Sequence, residues 1–368
     1  MNVLIINPIP YTSETKEIRR ANSIKDTMIH GLCAAFQKCG HSVTLFAAEP
    51  FKPLQEEEYP FSVIWAGCAL KKVCMCHCFP FMPEVWRYIV KNRKNIDLII
   101  SSEVFSLNSL GAALLANDKL IVWHELAKHN AMLKKIPSRF WYNIVARLFM
   151  RKTCVVARSA EARNFISRFC ANTQPQINEH GVDLDKFRAC EEKDDSFVVC
   201  SQLIDRKRID GIIDRFGHYL REYNAASRLY IIGDGPLKER LKELVESSGL
   251  QNSVFFLGKM THDELLPYLS RAKALLINTE KDNSMISIIE AIAVATPVVT
   301  TRVPLNASYI EEYDLGIVGD WTAADLASVS GNCAKYVSNC MQYRRRLSNE
   351  AKVAQFLQIH ANRMTKME

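Results

Sequence analysis

The feature that most restricts the fold is a repeated alternation of short apolar runs with amphipathic stretches. In the first half the apolar runs fall at 3–7, 42–47, 63–66, 97–101, 120–123 and 153–157. Helical patterns at 21–39, 83–92 and 107–116 lie between several of them. The second half repeats the scheme, with runs at 197–201, 228–232, 254–257, 274–278 and 297–300 and helical patterns at 209–223, 236–247, 261–270 and 285–295. Strand, helix, strand at this spacing spells parallel strands joined by crossover helices. Two such blocks predict two doubly wound α/β domains, with ligand sites off the carboxyl ends of the strands. The 368 residues suit two domains of roughly 100–200 residues each. The join falls in the polar, weakly periodic segment 178–196, and 333–361 reads as one or two further helices.

No apolar run approaches the ~18 residues that a membrane span needs. The start, "MNVLIINPIP", lacks a basic leader and reads as a first strand rather than a signal peptide. Twelve cysteines with no disulfide-like framework are expected to be reduced thiols, which points to a cytosolic setting. Of these, Cys74, Cys76 and Cys78 flank His77 in "CMCHCF". Alternation puts the cysteines on one face of an extended segment, and the Cys-x-x-Cys loop of a zinc site is missing, so a thiol-rich loop is expected and no metal.

The net charge is +7, and its placement matters more than its size. Residues 130–170 hold nine Lys or Arg and one acid, Glu161, a surplus that covers the whole net charge. A basic face implies an anionic partner. Within it, "IPSRFWYNIVARLFMRK" places Phe140, Trp141, Ile144, Val145, Leu148 and Phe149 on one stripe of a helix. Such a stripe is either core or a surface that leans on anionic lipid near a lipid-linked acceptor. Nothing in the chain resembles a base-reading module, so no nucleic-acid partner is expected.

The chemistry concentrates in "DNSMISIIEAIAVATPVV", residues 282–299. Asp282, Asn283 and Ser284 are N-cap types, so a helix is expected from about Met285. It is apolar nearly all round and therefore buried, yet it carries Glu290 two turns in. A buried carboxylate costs several kcal/mol unless it is paired. A ribose diol would serve as partner, a short distance from a phosphate docked on the helix start; an internal ion pair or a backbone cap would serve equally. "SQLIDRKRI" sets Arg206, Lys207 and Arg208 in a loop after a strand, which suits a diphosphate or is a solvated turn. Gly233 and Gly235 in "YIIGDGPL" allow a tight turn, and Gly258 ends a further strand where exposed backbone could meet a flat base.

In order and spacing, "GDGPLKERL", "VFFLGKM" and "DNSMISIIEAIAVATPVV" resemble the carboxyl-terminal domain of family 4 retaining glycosyltransferases. "CGHSVTLF" and "EHGVDLDKF" resemble other landmarks of that family. The resemblance implies the GT-B architecture, two Rossmann-like doubly wound domains facing a central cleft. An acceptor-side domain would span 1–185, joined by a C-terminal helix at about 346–368, and a nucleotide-sugar domain would span 186–345. Two acids eight residues apart are the family's signature. Glu290 would hold the ribose, and Asp282, or Glu280 two residues earlier, would bind donor-sugar hydroxyls. The backbone amides of Asn283, Ser284 and Met285 would face sugar and diphosphate. Lys207 matches the family's diphosphate lysine, while the paired arginine position falls on Gln202, leaving Arg206 as its substitute. "LIVWHELAKHN" puts His124 in a loop after a strand, where relatives place a histidine against the donor sugar. The family's glycine-rich loop after the first strand is replaced by "NPIPYTSETKEIRR".

The implied activity is sugar transfer from a nucleotide sugar, UDP ahead of GDP, to a hydroxyl of a glycan or lipid-linked acceptor, with retention and without a metal or other cofactor. Bacterial surface glycan or glycoconjugate synthesis is the implied setting, with the chain cytosolic or peripheral at the inner face of the membrane. The rival readings are a sugar-nucleotide epimerase of the same architecture and a non-catalytic nucleotide-binding member.

Overall fold

The computed structural model describes every residue except 12–17, 19, 71–76, 131, 283 and 366–368. The chain divides into two compact units, 1–181 with 349–368, and 182–348.

The first unit is built on seven parallel strands: β1 (Asn2–Ile6), β2 (Ser42–Ala48), β3 (Ser62–Ala66), β4 (Leu98–Ser102), β5 (Leu120–His124), β6 (Cys154–Ala157) and β7 (Thr173–Ile177). Their order is β3-β2-β1-β4-β5-β6-β7, so the winding reverses between β1 and β4. Leu4, Phe46, Ile99, Val122 and Val155 fill one side of the sheet. Val3, Ile5, Leu45, Ile100 and Ile121 fill the other, together with Phe36 of the helix Met28–Lys38 and Phe356 of the C-terminal helix Asn349–Met364. Strands covered on both faces read as continuous apolar runs, which is why they stand out in the sequence. β7 does not: "TQPQI" is polar, largely exposed and carries Pro175, all tolerable on an edge strand. The helix expected from residue 21 starts at Met28, because Thr27 turns its side chain onto the His30 amide as N-cap.

The second unit repeats the design with β8 (Ser196–Cys200), β9 (Arg228–Ile232), β10 (Val254–Gly258), β11 (Ala274–Leu276), β12 (Val298–Thr300) and β13 (Gly316–Val318), in the order β10-β9-β8-β11-β12-β13. Its winding reverses between β8 and β11, and the loops leaving these two strands flank the position where doubly wound sheets bind ligands. β13 escapes sequence reading because it is a three-residue edge strand, itself half-buried.

Candidate functional site

Two loops build the candidate site in the second unit. The first leaves β8, passes through a single turn of 3-10 helix at Asp205–Lys207, and swings through Arg208 at φ 48° into the helix Ile209–Glu222. The second leaves β11 and runs to the helix Ile286–Ala293. They meet across the reversal of the sheet. Asp282 Oδ2 accepts from Lys207 Nζ at 2.7 Å and from Thr279 Oγ1 at 2.7 Å, and Asp282 Oδ1 accepts from Arg206 Nη1 at 2.9 Å. Lys207 is only 9% exposed. Burial alone would raise the Asp282 carboxyl, but the bonds from Lys207, Thr279 and Arg206 reverse that and hold it below the ordinary carboxylate range. One carboxylate thus gathers two cations, and the cluster keeps a net positive charge.

Of the two candidate first acids, Asp282 is the one that joins this cluster. Glu280 turns outward to Arg208, 2.5 Å from its Nη1, and both side chains are exposed. Gln202 is exposed in the loop after β8 and takes no part in the cluster, whereas Arg206 does.

Glu290 lies in the helix Ile286–Ala293, 8% exposed. Its Oε1 is 3.0 Å from Nε2 of His262. An internal histidine is therefore the neighbour that meets this buried carboxylate. The partner is a histidine because a capping box, Thr261 with Glu264, starts the helix His262–Arg271 and sets His262 at its first position. The His262 ring also packs edge-on against Phe187. Glu290 stays close to the end of β8, where its charge adds to burial in pushing the Cys200 thiol up.

The start of this helix departs from expectation. Asp282 caps nothing, being committed to the two cations, and the N-cap residue is Met285. The Met285 amide does not face open space: it donates to Asn306 Oδ1 at 3.1 Å, while Asn306 Nδ2 returns a bond to the Met285 carbonyl at 2.8 Å. Ser284 is half-buried in the turn, and Asn283 lies outside the described residues. Gly233 is required by the protein itself. At φ 142° a Cβ there would stand 1.8 Å from the Ser201 carbonyl oxygen, and its amide donates to Gly258. Gly258, at φ 76°, has open space where a Cβ would project.

His124 belongs to the first unit. It is not in a loop but is the last residue of β5, and it is fully buried. The strand runs one residue longer than its apolar run because the neighbouring strand β6 pairs His124 with Ala157. Its Nδ1 lies 2.8 Å from Glu103 Oε2, an ion-pair approach rather than an aligned hydrogen bond.

Thr279, His262, Asn306 and Glu103 were not legible as site residues. Thr279 and Glu103 follow strand ends, the one weak signal available; Asn306 and His262 reach their partners from elsewhere in the chain. In the basic segment, the helix Ile136–Phe140 continues through a π-helical stretch, Trp141–Ala146, into Arg147–Phe149. Ser138, Tyr142, Ala146 and Met150 face the core, leaving Phe140, Ile144, Leu148 and Phe149 exposed, with Leu148 at 70%. Cys74 and Cys76 lie outside the described residues, and among the described residues no three ligand-type side chains gather as a metal site. Cys33, Cys154, Cys170 and Cys340 are buried thiols. No described helix is long and apolar enough to cross a membrane.

Residues 183–353 match the family model described as glycosyl transferases group 1. The match covers nearly all of the second unit. It is 22% identical over 320 residues to alpha-monoglucosyldiacylglycerol synthase of Acholeplasma laidlawii, covering 79% of this chain and 80% of that one. It is 30% identical over 119 residues to N-acetyl-alpha-D-glucosaminyl L-malate synthase of Bacillus anthracis, covering 32% of this chain and 30% of the synthase. The whole chain has a likeness among solved structures: Anabaena Alr3699/HepE, solved with UDP, superposes with a TM-score of 0.67 at 16% identity over 98% of this chain and all of that one. A sucrose-phosphate synthase of Thermosynechococcus elongatus superposes at 0.65 with 15% identity, over 99% of each chain. Two Rossmann-like parallel-sheet units with these neighbours make the fold GT-B.

Proposed function

We propose that this glycosyltransferase moves a sugar from a UDP-sugar to a hydroxyl acceptor with retention of anomeric configuration and without a metal. One observation carries the reading. Arg206 and Lys207 converge on Asp282 at the sheet reversal, eight residues before a buried Glu290. A nucleoside diphosphate offers each group a replacement partner: phosphate oxygens for the two cations and a ribose diol for the carboxylate. Charge builds on the diphosphate as the glycosidic bond breaks, and Lys207, Arg206 and the helix start at Ile286 stabilise it. Asp282 then holds sugar hydroxyls. The departing phosphate takes the acceptor's proton on the same face. Fixed cations do the work of a metal, so chelation with EDTA leaves turnover unchanged.

Binding requires two exchanges within the site. The ribose replaces His262 on Glu290, and the diphosphate competes with Asp282 for its cations. UDP is also the nucleotide bound by HepE, and diacylglycerol appears in the name of the A. laidlawii relative. The second point supports a lipid-linked acceptor and a bacterial surface glycoconjugate as product. The exposed side chains of Phe140, Ile144, Leu148 and Phe149, in a segment that also exposes Lys134, Lys135, Arg139, Arg147, Arg151 and Lys152, form the surface that would rest on anionic lipid at the inner face of the membrane.

The test is a panel of nucleotide sugars scored first by thermal stabilisation and then by product analysis with and without hydroxyl acceptors. UDP-sugar stabilisation, acceptor-dependent product and retained configuration support the reading. Conversion of donor alone to an isomer would replace it with epimerisation, and binding without turnover would leave a non-catalytic binder.

A further inference from the structure

The carboxylate proposed to hold the ribose has a neighbour that can gain a charge. Glu290 Oε1 stands 3.0 Å from His262 Nε2, and neither side chain is sealed: they are 10% and 23% exposed. Both residues belong to the second unit, on the helices Ile286–Ala293 and His262–Arg271. Two features place the histidine. The capping box of Thr261 and Glu264 fixes it as the first residue of its helix. Its ring meets Phe187 edge-on, with centroids 5.3 Å apart.

Histidine changes charge between about pH 5 and 8 in ordinary surroundings. Glu290 favours the imidazolium, whereas the amide end of the histidine's own helix disfavours it. The other charged groups nearby have partners or face water. Lys186, beside Phe187, lies 3.5 Å from Asp263, and Arg188 bonds to Asp185 O at 3.2 Å. Glu264 accepts from the Thr261 amide and hydroxyl at 2.8 and 2.9 Å, and Lys259 is exposed. At the end of β8, burial and then Glu290 push the Cys200 thiol up, so it stays neutral across this range. A neutral ring can give Glu290 one ordinary hydrogen bond, whereas an imidazolium gives a charge-assisted one about twice as strong. A ribose diol offers the same carboxylate two neutral donors. It therefore competes well with the neutral ring and poorly with the imidazolium.

On the reading of Glu290 as the ribose holder, we propose that His262 is a proton-operated latch on the nucleotide site. As imidazolium it keeps Glu290; as the neutral ring it yields the carboxylate to the ribose. Nucleotide binding then releases a proton to solvent from the partly exposed ring. By linkage, affinity is full above the titration of His262 and falls as pH drops through it.

The experiment uses the full-length protein and UDP-glucose, whose diphosphate, unlike the terminal phosphate of UDP, does not titrate in this range. Calorimetry in two buffers of different ionisation enthalpy gives affinity and protons released together. From about pH 8 to about pH 5.5 the parent should lose about tenfold in affinity, with proton release at the pH values between. His262→Gln keeps a neutral donor, so its affinity should stay within about twofold over the same range and exceed that of the parent at the acid end. With 15N-labelled histidine, and His262→Gln to assign the signal, the titration midpoint of His262 should fall in Glu290→Gln and in the parent saturated with UDP-glucose. Cooperative melts at each pH confirm that the proteins are folded. The latch is overturned if the parent's affinity is independent of pH, if the dependence survives in His262→Gln, or if Glu290→Gln leaves the midpoint in place. Binding that is independent of pH yet prefers UDP to 2′-deoxy-UDP overturns the latch alone. Loss of that preference, or no UDP-glucose binding at about pH 8, overturns the ribose reading with it.

Discussion

Replacing Asp282 with Asn separates its hold on the two cations from the part proposed for it in donor binding. In the unliganded chain it neutralises Lys207 and Arg206. The Lys207 contact is nearly buried, with side chains 10% and 13% exposed, and removing one partner of such a pair costs ~3–5 kcal/mol. Asparagine keeps a dipole in place and lowers that to ~2–3 kcal/mol. The Arg206 contact, with that side chain 37% exposed, adds less than about 1 kcal/mol. The sum is about 3 kcal/mol, or roughly 6–12 °C in Tm for a unit of this size. UDP reverses part of the loss. Its diphosphate no longer competes with a carboxylate for the two cations, so UDP binds the variant about tenfold more tightly, a gain of ~1.4 kcal/mol. Urea titrations of both proteins, with and without saturating UDP, read both terms. The reasoning is refuted if UDP stabilises parent and variant equally, or if the variant matches the parent to within about 0.5 kcal/mol without ligand.

Three further outcomes are expected. The carboxyl of Asp282 is depressed in the folded chain, so its contribution is present above the ordinary aspartate value of about 4 and is lost as pH falls through the folded value; the urea midpoint of the parent therefore drops more steeply than that of Asp282→Asn in acid. Burial pulls Lys193 down to about 8, below its unfolded value, so the unfolded chain binds more protons between pH 8 and 10 and stability rises with pH there. Lys193→Met should flatten that rise. On the basic helix, Phe140→Glu with Leu148→Glu should abolish co-flotation with vesicles rich in acidic lipid and leave the melting temperature within a few degrees of the parent; equal flotation on neutral and acidic vesicles would remove the lipid reading.

The sheets were legible because their strands are buried on both faces, so apolar runs marked 228–232 and helical periodicity marked 83–92 and 107–116 to the residue. Polar or three-residue edge strands, β7 and β13, carry no such mark. In the site, the anomaly of a charge in an apolar helix singled out Glu290, and a cationic turn after a strand singled out Lys207. What those groups touch was not legible. The Lys207–Asp282 contact joins residues 75 apart, and the Asn306 clamp on Met285 reaches back from 21 residues downstream. His262 reads only as the start of a helix, because its meeting with Glu290 depends on how two separate helices pack. The end of β5 was placed one residue too early, at Trp123, since a polar residue ends an apolar run but need not end a strand.

The central claim is that Glu290 leaves His262 to hold a ribose. The most direct test compares UDP with 2′-deoxy-UDP by calorimetry, on the parent and on Glu290→Gln. The account predicts that the parent prefers UDP by about tenfold, roughly one charged hydrogen bond, and that the variant loses the preference. Equal affinity of the parent for both nucleotides, or an unchanged preference in Glu290→Gln, would contradict it.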